Sequence, residues 1–405
     1  MRNILSALDI GTSKACALVA EIGGENYGEL AVLGYGVEPC IGLRKGVVVN
    51  IDATVESIHR AVTEAEKTAG IKVAAATVGI AGAHIRGFNS HGIVAVRGGE
   101  VGPRDVERVI DAARAVAIPL DRQVLHVLPQ QFAVDDQEGV HDPVGMAGVR
   151  LEARIHIVTA AQSYAQNLVK CCERGGVDAA TMVLEPLASA EAALFPEERE
   201  LGVALVDIGG GTTDIIVFHG SAVMHTAVLP IGGNHLTGDL AAGLRTAMAD
   251  AERLKTDYGV ATNLVVGRDE MVSVPGVGGR EPRIIARRLL GEILEPRMEE
   301  IFAMVQRELI RSGVSEALAS GLVLVGGSSL LEGTQELAER VFNLPVRRGL
   351  PVNLKGMPED LMKPMFATAA GLLLMARSNG RSSNGRPRRW IKLRSRVSDW
   401  VKDFF

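Results

Sequence analysis

The stretch ALVDIGGGTTDIIVF, residues 204 to 218, sets an apolar strand-like run on each side of a glycine-filled hinge that carries Asp207 and Asp214. A β-hairpin closes with two turn residues, so Gly209, Gly210, Gly211, Thr212 and Thr213 exceed what the turn itself requires. Three consecutive glycines predict that something approaches this backbone closely, because only a residue without Cβ permits it. The pattern occurs twice. In SALDIGTSKACALVAEI, residues 6 to 22, Asp9 stands to Gly11, Thr12 and Ser13 as Asp207 stands to Gly209 through Thr213. Duplication at a spacing near half the chain predicts two similar halves facing each other.

Two such hairpins, face to face, would surround a triphosphate with backbone N–H groups. Thr12, Ser13, Thr212 and Thr213 would add hydroxyl donors, and Lys14 one positive charge. Asp9 and Asp207 then lie where Mg2+ belongs, since magnesium keeps several waters and takes one or two carboxylates together with phosphate oxygens. A third glycine turn, LVLVGGSSLLEG (322 to 333), predicts a strand, a tight turn at Gly326 and Gly327, and a helix opening on LLEGTQELAERVF. Its amides and Ser328 would lie at a helix N-terminus, where anions or sugar hydroxyls are well received. Neither GxxxxGK[ST] nor a strand-GxGxxG-helix unit occurs, so the nucleotide site is of another kind. The nine histidines show neither HxxxH nor HExxH spacing, and GxSxG is absent, which removes metal hydrolases and serine esterases.

The chain of 405 residues is long enough for two to four domains, and 47% hydrophobic with 22% charged residues is ordinary globular composition. Cys16, Cys40, Cys171 and Cys172 show no CxxC spacing, so reduced, buried thiols are expected. Asp9 and Lys14 interrupt the opening segment where a signal peptide would be apolar, and no run approaches a membrane span, so neither export nor spanning is expected. Helical spacing marks Val55 to Ala69, Pro103 to Ala117 and Ser163 to Arg174. Residues 84 to 158 mix short β-like runs with turns and read as an inserted small α+β domain. Residues 236 to 302 read as a helix-rich insert in the second half.

The set DIGTSK, VDIGGGTTD and LVGGSSLLEG resembles the two phosphate loops and the adenosine loop of the actin, hexokinase and heat-shock-chaperone superfamily. The resemblance implies an α/β, actin-like (ribonuclease H-like) two-lobed ATPase fold with ATP between the lobes. Within it the chain is most similar to the bacterial cell-division family FtsA. LEPLASAEAAL (184 to 194) and PMFATAAGLLL (364 to 374) look like the family's two connecting helices. The implied division is subdomain 1A at 1–83 and 159–195, an inserted subdomain 1C at 84–158, subdomain 2A at 196–235 and 303–363, and subdomain 2B at 236–302. A second hinge helix of 1A at 364–376, a basic linker at 377–389 and a terminal helix at 390–405 complete it.

By the same resemblance Glu252 and Lys255 contact the nucleoside; taken alone they are equally a surface ion pair. Glu185 resembles an acid that activates water in the chaperones, beside Asp207, in a site that binds ATP firmly and turns it over slowly as a switch. The resemblance further implies self-assembly into filaments, attachment of FtsZ through its C-terminal tail to subdomain 2B (236–302), with the basic stretch Arg280 to Arg288 as one place for it, and recruitment of other division proteins at the septum. A small-molecule kinase of the same superfamily is the alternative; it would need a carboxylate base at an acceptor hydroxyl. A chaperone would need a peptide-binding domain after residue 376.

The segment from Arg377 to Phe405 carries a charge of +7 and leaves −12 on the rest. In RWIKLRSRVSDWVKDFF, Trp390, Leu393, Val397, Trp400, Val401 and Phe404 fall on one helical stripe at ~100° per residue, widened by Ile391 and Phe405. Lys392, Arg396 and Lys402 flank it, the make-up of a helix lying in the plane of an anionic membrane on its cytoplasmic side. A packed amphipathic core helix rarely follows a Gly/Ser/Asn-rich linker. The acidic body disfavours nucleic acid.

Overall fold

A computed structural model describes residues 3–23, 29–352 and 354–381. The expected terminal helix, including Trp390 through Phe405, lies outside the described residues. The first half opens with β1 (Asn3–Ile10), β2 (Lys14–Gly23), β3 (Glu29–Pro39), the short hairpin β4 (Leu43–Arg44) and β5 (Val47–Val48), α1 (Ile51–Ala69) and β6 (Ala75–Ile80). Helix α1 starts where the Asn50 side chain accepts from the Ala53 amide and stops at Gly70, whose φ of 65° suits glycine. Its buried stripe of Ile58, Ala61, Val62 and Ala65 packs on β2 and β3.

The chain then leaves this sheet for an inserted unit: β7 (Arg86–Ala95), α2 (Pro103–Arg114), β8 (Arg122–Val134), β9 (Gln137–Val140) and β10 (Arg150–Ala161). Its strands pair in the order β7-β10-β8-β9, with Val106, Val109, Ile110 and Ala113 of α2 buried in its own core. The helix ends three residues earlier than its apolar spacing suggests, because Ala115 has already left helical backbone. The chain returns through α3 (Gln162–Arg174), β11 (Asp178–Leu184) and α4 (Glu185–Ala193). All four cysteines are buried and free.

The second half follows: α5 (Pro196–Leu201), β12 (Val203–Ile208), β13 (Thr213–His219), β14 (Ala222–Leu229), α6 (Gly233–Leu244), α7 (Met248–Tyr258), β15 (Met271–Val274), β16 (Arg283–Ala286) and α8 (Arg288–Arg311). Strand β17 (Leu322–Val325), α9 (Thr334–Phe342), β18 (Val346–Arg348) and α10 (Ala367–Arg381) close it. The segment 236 to 302 is less uniformly helical than its composition suggests. Arg245, at φ 49°, breaks the first helix in two, and Ile284 and Ile285 pair with Ser273 and Val272 as a hairpin, as β-branched residues favour.

The two halves repeat one topology. The sheet β3-β2-β1-β6-β11 has β1, β2 and β3 antiparallel and β6 and β11 parallel to β1; in β14-β13-β12-β17-β18 the same relations recur. Helices α4 and α10 follow the last strand of each half and pack against each other. Gly371 makes that crossing close: a Cβ there would lie 1.7 Å from the Ala188 carbonyl oxygen. The inserted unit is carried by the first half and also touches the second. Gln130 Nε2 donates to the carbonyls of Val223 (2.8 Å) and Met224 (3.3 Å), and the buried His156 ring bonds Asn89 Oδ1 (2.6 Å) and Thr226 Oγ1 (2.8 Å).

Candidate functional site: the cleft between two acidic hairpins

Both glycine hairpins close in the same way. The Gly11 amide donates to the Lys14 carbonyl (2.9 Å), and the Gly209 amide to the Thr212 carbonyl (3.0 Å), so Asp9 and Asp207 stand two residues before equivalent loops. The tips meet. A Cβ on Gly210 would lie 3.0 Å from Ser13 Oγ, and one on Gly211 2.6 Å from Thr12 Oγ1. What approaches these two glycines is therefore the opposite hairpin, which refines the reason for the glycine run. A Cβ on Gly11 or Gly209 would meet only the carbonyl of its own loop.

Four carboxylates converge behind the tips. Asp207 accepts from Ser189 Oγ (2.9 Å) on α4 and Thr368 Oγ1 (3.3 Å) on α10, so both hinge helices hold it. Asp214 is its cross-strand partner on β13 and takes the Thr212 hydroxyl at 2.9 Å on Oδ2, while its buried Oδ1 has no partner. Burial holds the Asp207 carboxyl above its usual range, against the hydroxyl of Ser189 and the charge of Lys14. Burial and then Asp207 push Asp214 up to about 8. Glu185, the first residue of α4, is pushed well above the carboxylate range by burial and then by Asp9, Asp214 and Asp207.

Against these stands Lys14, whose Nζ lies 3.3 Å from Asp9 Oδ2 and 5.5 Å from the centre of the Phe366 ring. Burial alone would lower its pKa; the carboxylates of Asp9 and Asp207 outweigh that and raise it. So much buried acid with one lysine fits a divalent cation. Among the described residues no three such side chains converge closely enough to chelate a metal by themselves. That suits magnesium, which takes few protein ligands and completes its shell with water and phosphate.

The third glycine turn differs from its expected form. Gly327–Leu330 is a short 3-10 turn and α9 opens only at Thr334, because Ser329 Oγ donates back to the Gly326 carbonyl (2.7 Å) and consumes the turn. Gly326 has φ 85°, and a Cβ there would lie 2.4 Å from Asp207 Oδ1, so this turn abuts the acidic cluster. A Cβ on Gly327 would meet nothing within 4 Å, so the turn is open on that side. Ser328 lies beside Gly233, whose Cβ would be 2.6 Å from the serine Oγ and 3.4 Å from Lys255 Nζ.

Lys255 is buried and bonds Glu252 Oε2 (2.7 Å), Thr237 Oγ1 (2.9 Å) and the Gly233 carbonyl (3.2 Å), and Thr237 also donates to Glu252. Lys255 is thus buried beside the third turn, while the Glu252 side chain that it pairs with stays half exposed at the rim. Asp214, Ser189 and Thr368 were not among the site residues that the motifs single out. Asp214 was readable as the cross-strand mate of Asp207; the two hydroxyls carry no sequence signal.

A measurable consequence follows from Asp214. An unfolded chain releases that proton near the ordinary aspartate pKa, whereas the folded protein holds it until about pH 8, so the native state binds more protons between these limits and loses stability as pH rises through them. The thermal midpoint without ligand is expected to fall from pH 5 to pH 8. Asp214→Asn keeps an acceptor for Thr212 and is expected to flatten that slope and raise the midpoint at pH 8; an unchanged slope would assign the effect to other groups.

Comparison with known proteins agrees with this geometry. Residues 204–371 match the family model described as cell division protein FtsA, and residues 82–159 match the SHS2 domain inserted in FtsA. The chain is 51% identical to the cell division protein FtsA of Pseudomonas aeruginosa over 371 residues, covering 92% of this chain and 88% of that protein. To the Escherichia coli K12 protein of the same name it is 38% identical, covering 99% and 96%. Among solved structures, MreB5 of Spiroplasma citri bound to ADP superposes with a TM-score of 0.57 at 14% identity, covering 94% of this chain and 99% of that one. With its doubled sheet, its inserted unit and these relatives, the chain belongs to the FtsA family of cell-division proteins and has the actin-like fold.

Proposed function

We propose that this chain binds ATP with Mg2+ in the cleft between its two acidic hairpins, assembles with copies of itself on the inner face of the cytoplasmic membrane, and tethers FtsZ there. The observation that carries the reading is the meeting of the two hairpin tips above Asp9, Asp207, Asp214 and Glu185, with one lysine for four carboxylates. Asp9 and Asp207 would hold the magnesium waters, the amides of residues 11 to 13 and 209 to 211 the phosphates, and Ser328, Glu252 and Lys255 the nucleoside. Bound magnesium neutralises phosphate charge and orients the terminal phosphoryl group. Glu185 lies in the same acidic cluster and, held protonated above the usual carboxylate range, is a poor base until the cation and nucleotide lower its pKa. Slow turnover, as in a switch, fits that state.

The site for the FtsZ tail is proposed on the β15–β16 face. Met271 and Ile284 are exposed there (59% and 71%). Arg287 is engaged by Glu270 and Glu332 at 2.6 Å each, and Arg283 by the Leu244 carbonyl, which leaves the exposed Arg280 and Arg288 to meet acidic residues. The terminal segment, residues 390 to 405, would supply the membrane contact. Among the described residues no helix is long and apolar enough to cross a membrane. In the test, FtsZ, anionic vesicles and the full chain are sedimented with MgATP: FtsZ is expected in the pellet only when the chain is present. FtsZ remaining in the supernatant under every nucleotide condition would overturn the tether.

A further inference from the structure

The hairpin β4–β5 is an unusual neighbour for two phosphate loops. Its two-residue turn is Lys45-Gly46, with φ of 52° and 72°, the doubly left-handed form that favours Asn-Gly or Gly-Gly. A lysine there is strained, since its Cβ crowds the backbone in that conformation. The turn is also fixed on both sides. In front, the Gly46 amide donates to Thr12 Oγ1 at 3.3 Å, and a Cβ on Gly211 would lie 3.0 Å from the Lys45 amide nitrogen. Behind, a Cβ on Gly46 would lie 2.6 Å from Gly82 Cα, at the root of the inserted unit. The Lys45 backbone is thus clamped beside Thr12 of one loop and Gly211 of the other.

Its side chain is half-buried and makes no hydrogen bond or ion pair among the described residues. Lys14, by contrast, is already paired with Asp9. A half-buried lysine with no hydrogen-bond or ion-pair partner among the described residues, whose backbone sits beside two loops that converge on one point, is available to an anionic ligand. We infer that Lys45 meets the terminal phosphate of the nucleotide and makes the cleft prefer ATP to ADP. This rests on the proposal that the cleft binds magnesium nucleotides. Each nucleotide's inner phosphates would lie on the loop amides in either case, and the terminal group would be the one to meet the junction of Thr12, Gly211 and Lys45. A flexible ammonium suits that task, because it acts on phosphate as a point charge without demanding one orientation.

The test uses the full chain and equilibrium titration with MgADP and with the magnesium complex of a non-hydrolysable ATP analogue. Lys45→Gln is expected to weaken the ATP analogue at least tenfold and ADP less than threefold. Lys45→Asn should show the same selective loss with an unchanged or raised thermal midpoint, since asparagine relieves the turn, and Lys45→Arg should restore most of the preference. A Lys45→Gln protein that keeps the wild-type ratio of the two affinities would overturn the inference while leaving the nucleotide site in place. Wild-type protein that binds neither nucleotide would remove both.

Discussion

Asp207→Asn is expected to reduce MgATP affinity by about 100-fold or more, close to 3 kcal/mol, while making the ligand-free protein more stable. The two effects share one origin. Asp207 is buried, accepts the hydroxyls of Ser189 and Thr368, and shares its surroundings with Asp9, Asp214 and Glu185, so its negative charge is costly until a cation arrives. Asparagine keeps an acceptor for at least one hydroxyl and removes the charge, which relieves the empty cleft and takes away a magnesium-facing group. Thermal unfolding with and without MgATP reads both. The variant should melt above the wild type alone and show little further shift on adding nucleotide, because ligand stabilisation scales with the logarithm of ligand concentration over Kd. A ligand-induced shift as large as that of the wild type would exclude Asp207 from the site.

The second large effect concerns the terminal segment. A chain ending at Gly385 is expected to lose at least tenfold in sedimentation with anionic vesicles. Trp390, Leu393, Val397, Trp400, Val401 and Phe404 would insert as one stripe, and each basic residue near an anionic surface adds on the order of 1 kcal/mol. Two signatures distinguish this contact from general adhesion: binding of the full chain should weaken as salt rises, and it should weaken on neutral vesicles, since both remove the electrostatic share. Assembly multiplies such ends, so the full chain should pellet more completely under conditions in which it forms filaments. Equal pelleting of the full and shortened chains would place the membrane contact elsewhere.

The readable parts of this molecule were those where a local rule forces a residue choice. The hairpins around Gly11 and Gly209 announce themselves because strand, carboxylate, glycine and hydroxyl stand in a fixed order, and the repetition of that order implied the doubled sheet. Helices α1, α2 and α3 showed as apolar stripes. What stayed hidden depends on contacts between distant residues. Ser189 and Thr368 reach Asp207 from 18 and 161 positions away, and nothing near either marks it as part of a site. The break at Arg245 and the hairpin of Ile284 and Ile285 were masked by a composition that suits helix, until tertiary pairing overrode it. The third turn was found at the right place with the wrong shape, because a serine bonding to its own backbone is invisible as a pattern.

The doubled attachment of the inserted unit has a mechanical consequence. Grown from one half of the molecule and bonded through Gln130 and His156 to the other, it bridges the two halves at a point away from the hinge. A body pivoting on α4 and α10 alone would swing freely; with this outrigger, any rotation must either carry the unit along or shear the contacts to Val223 and Thr226. Burial drives the His156 pKa down to about 3, so the ring stays neutral and this joint does not loosen with ordinary changes in acidity. A brace of this kind would pass a displacement at the cleft on to the inserted unit.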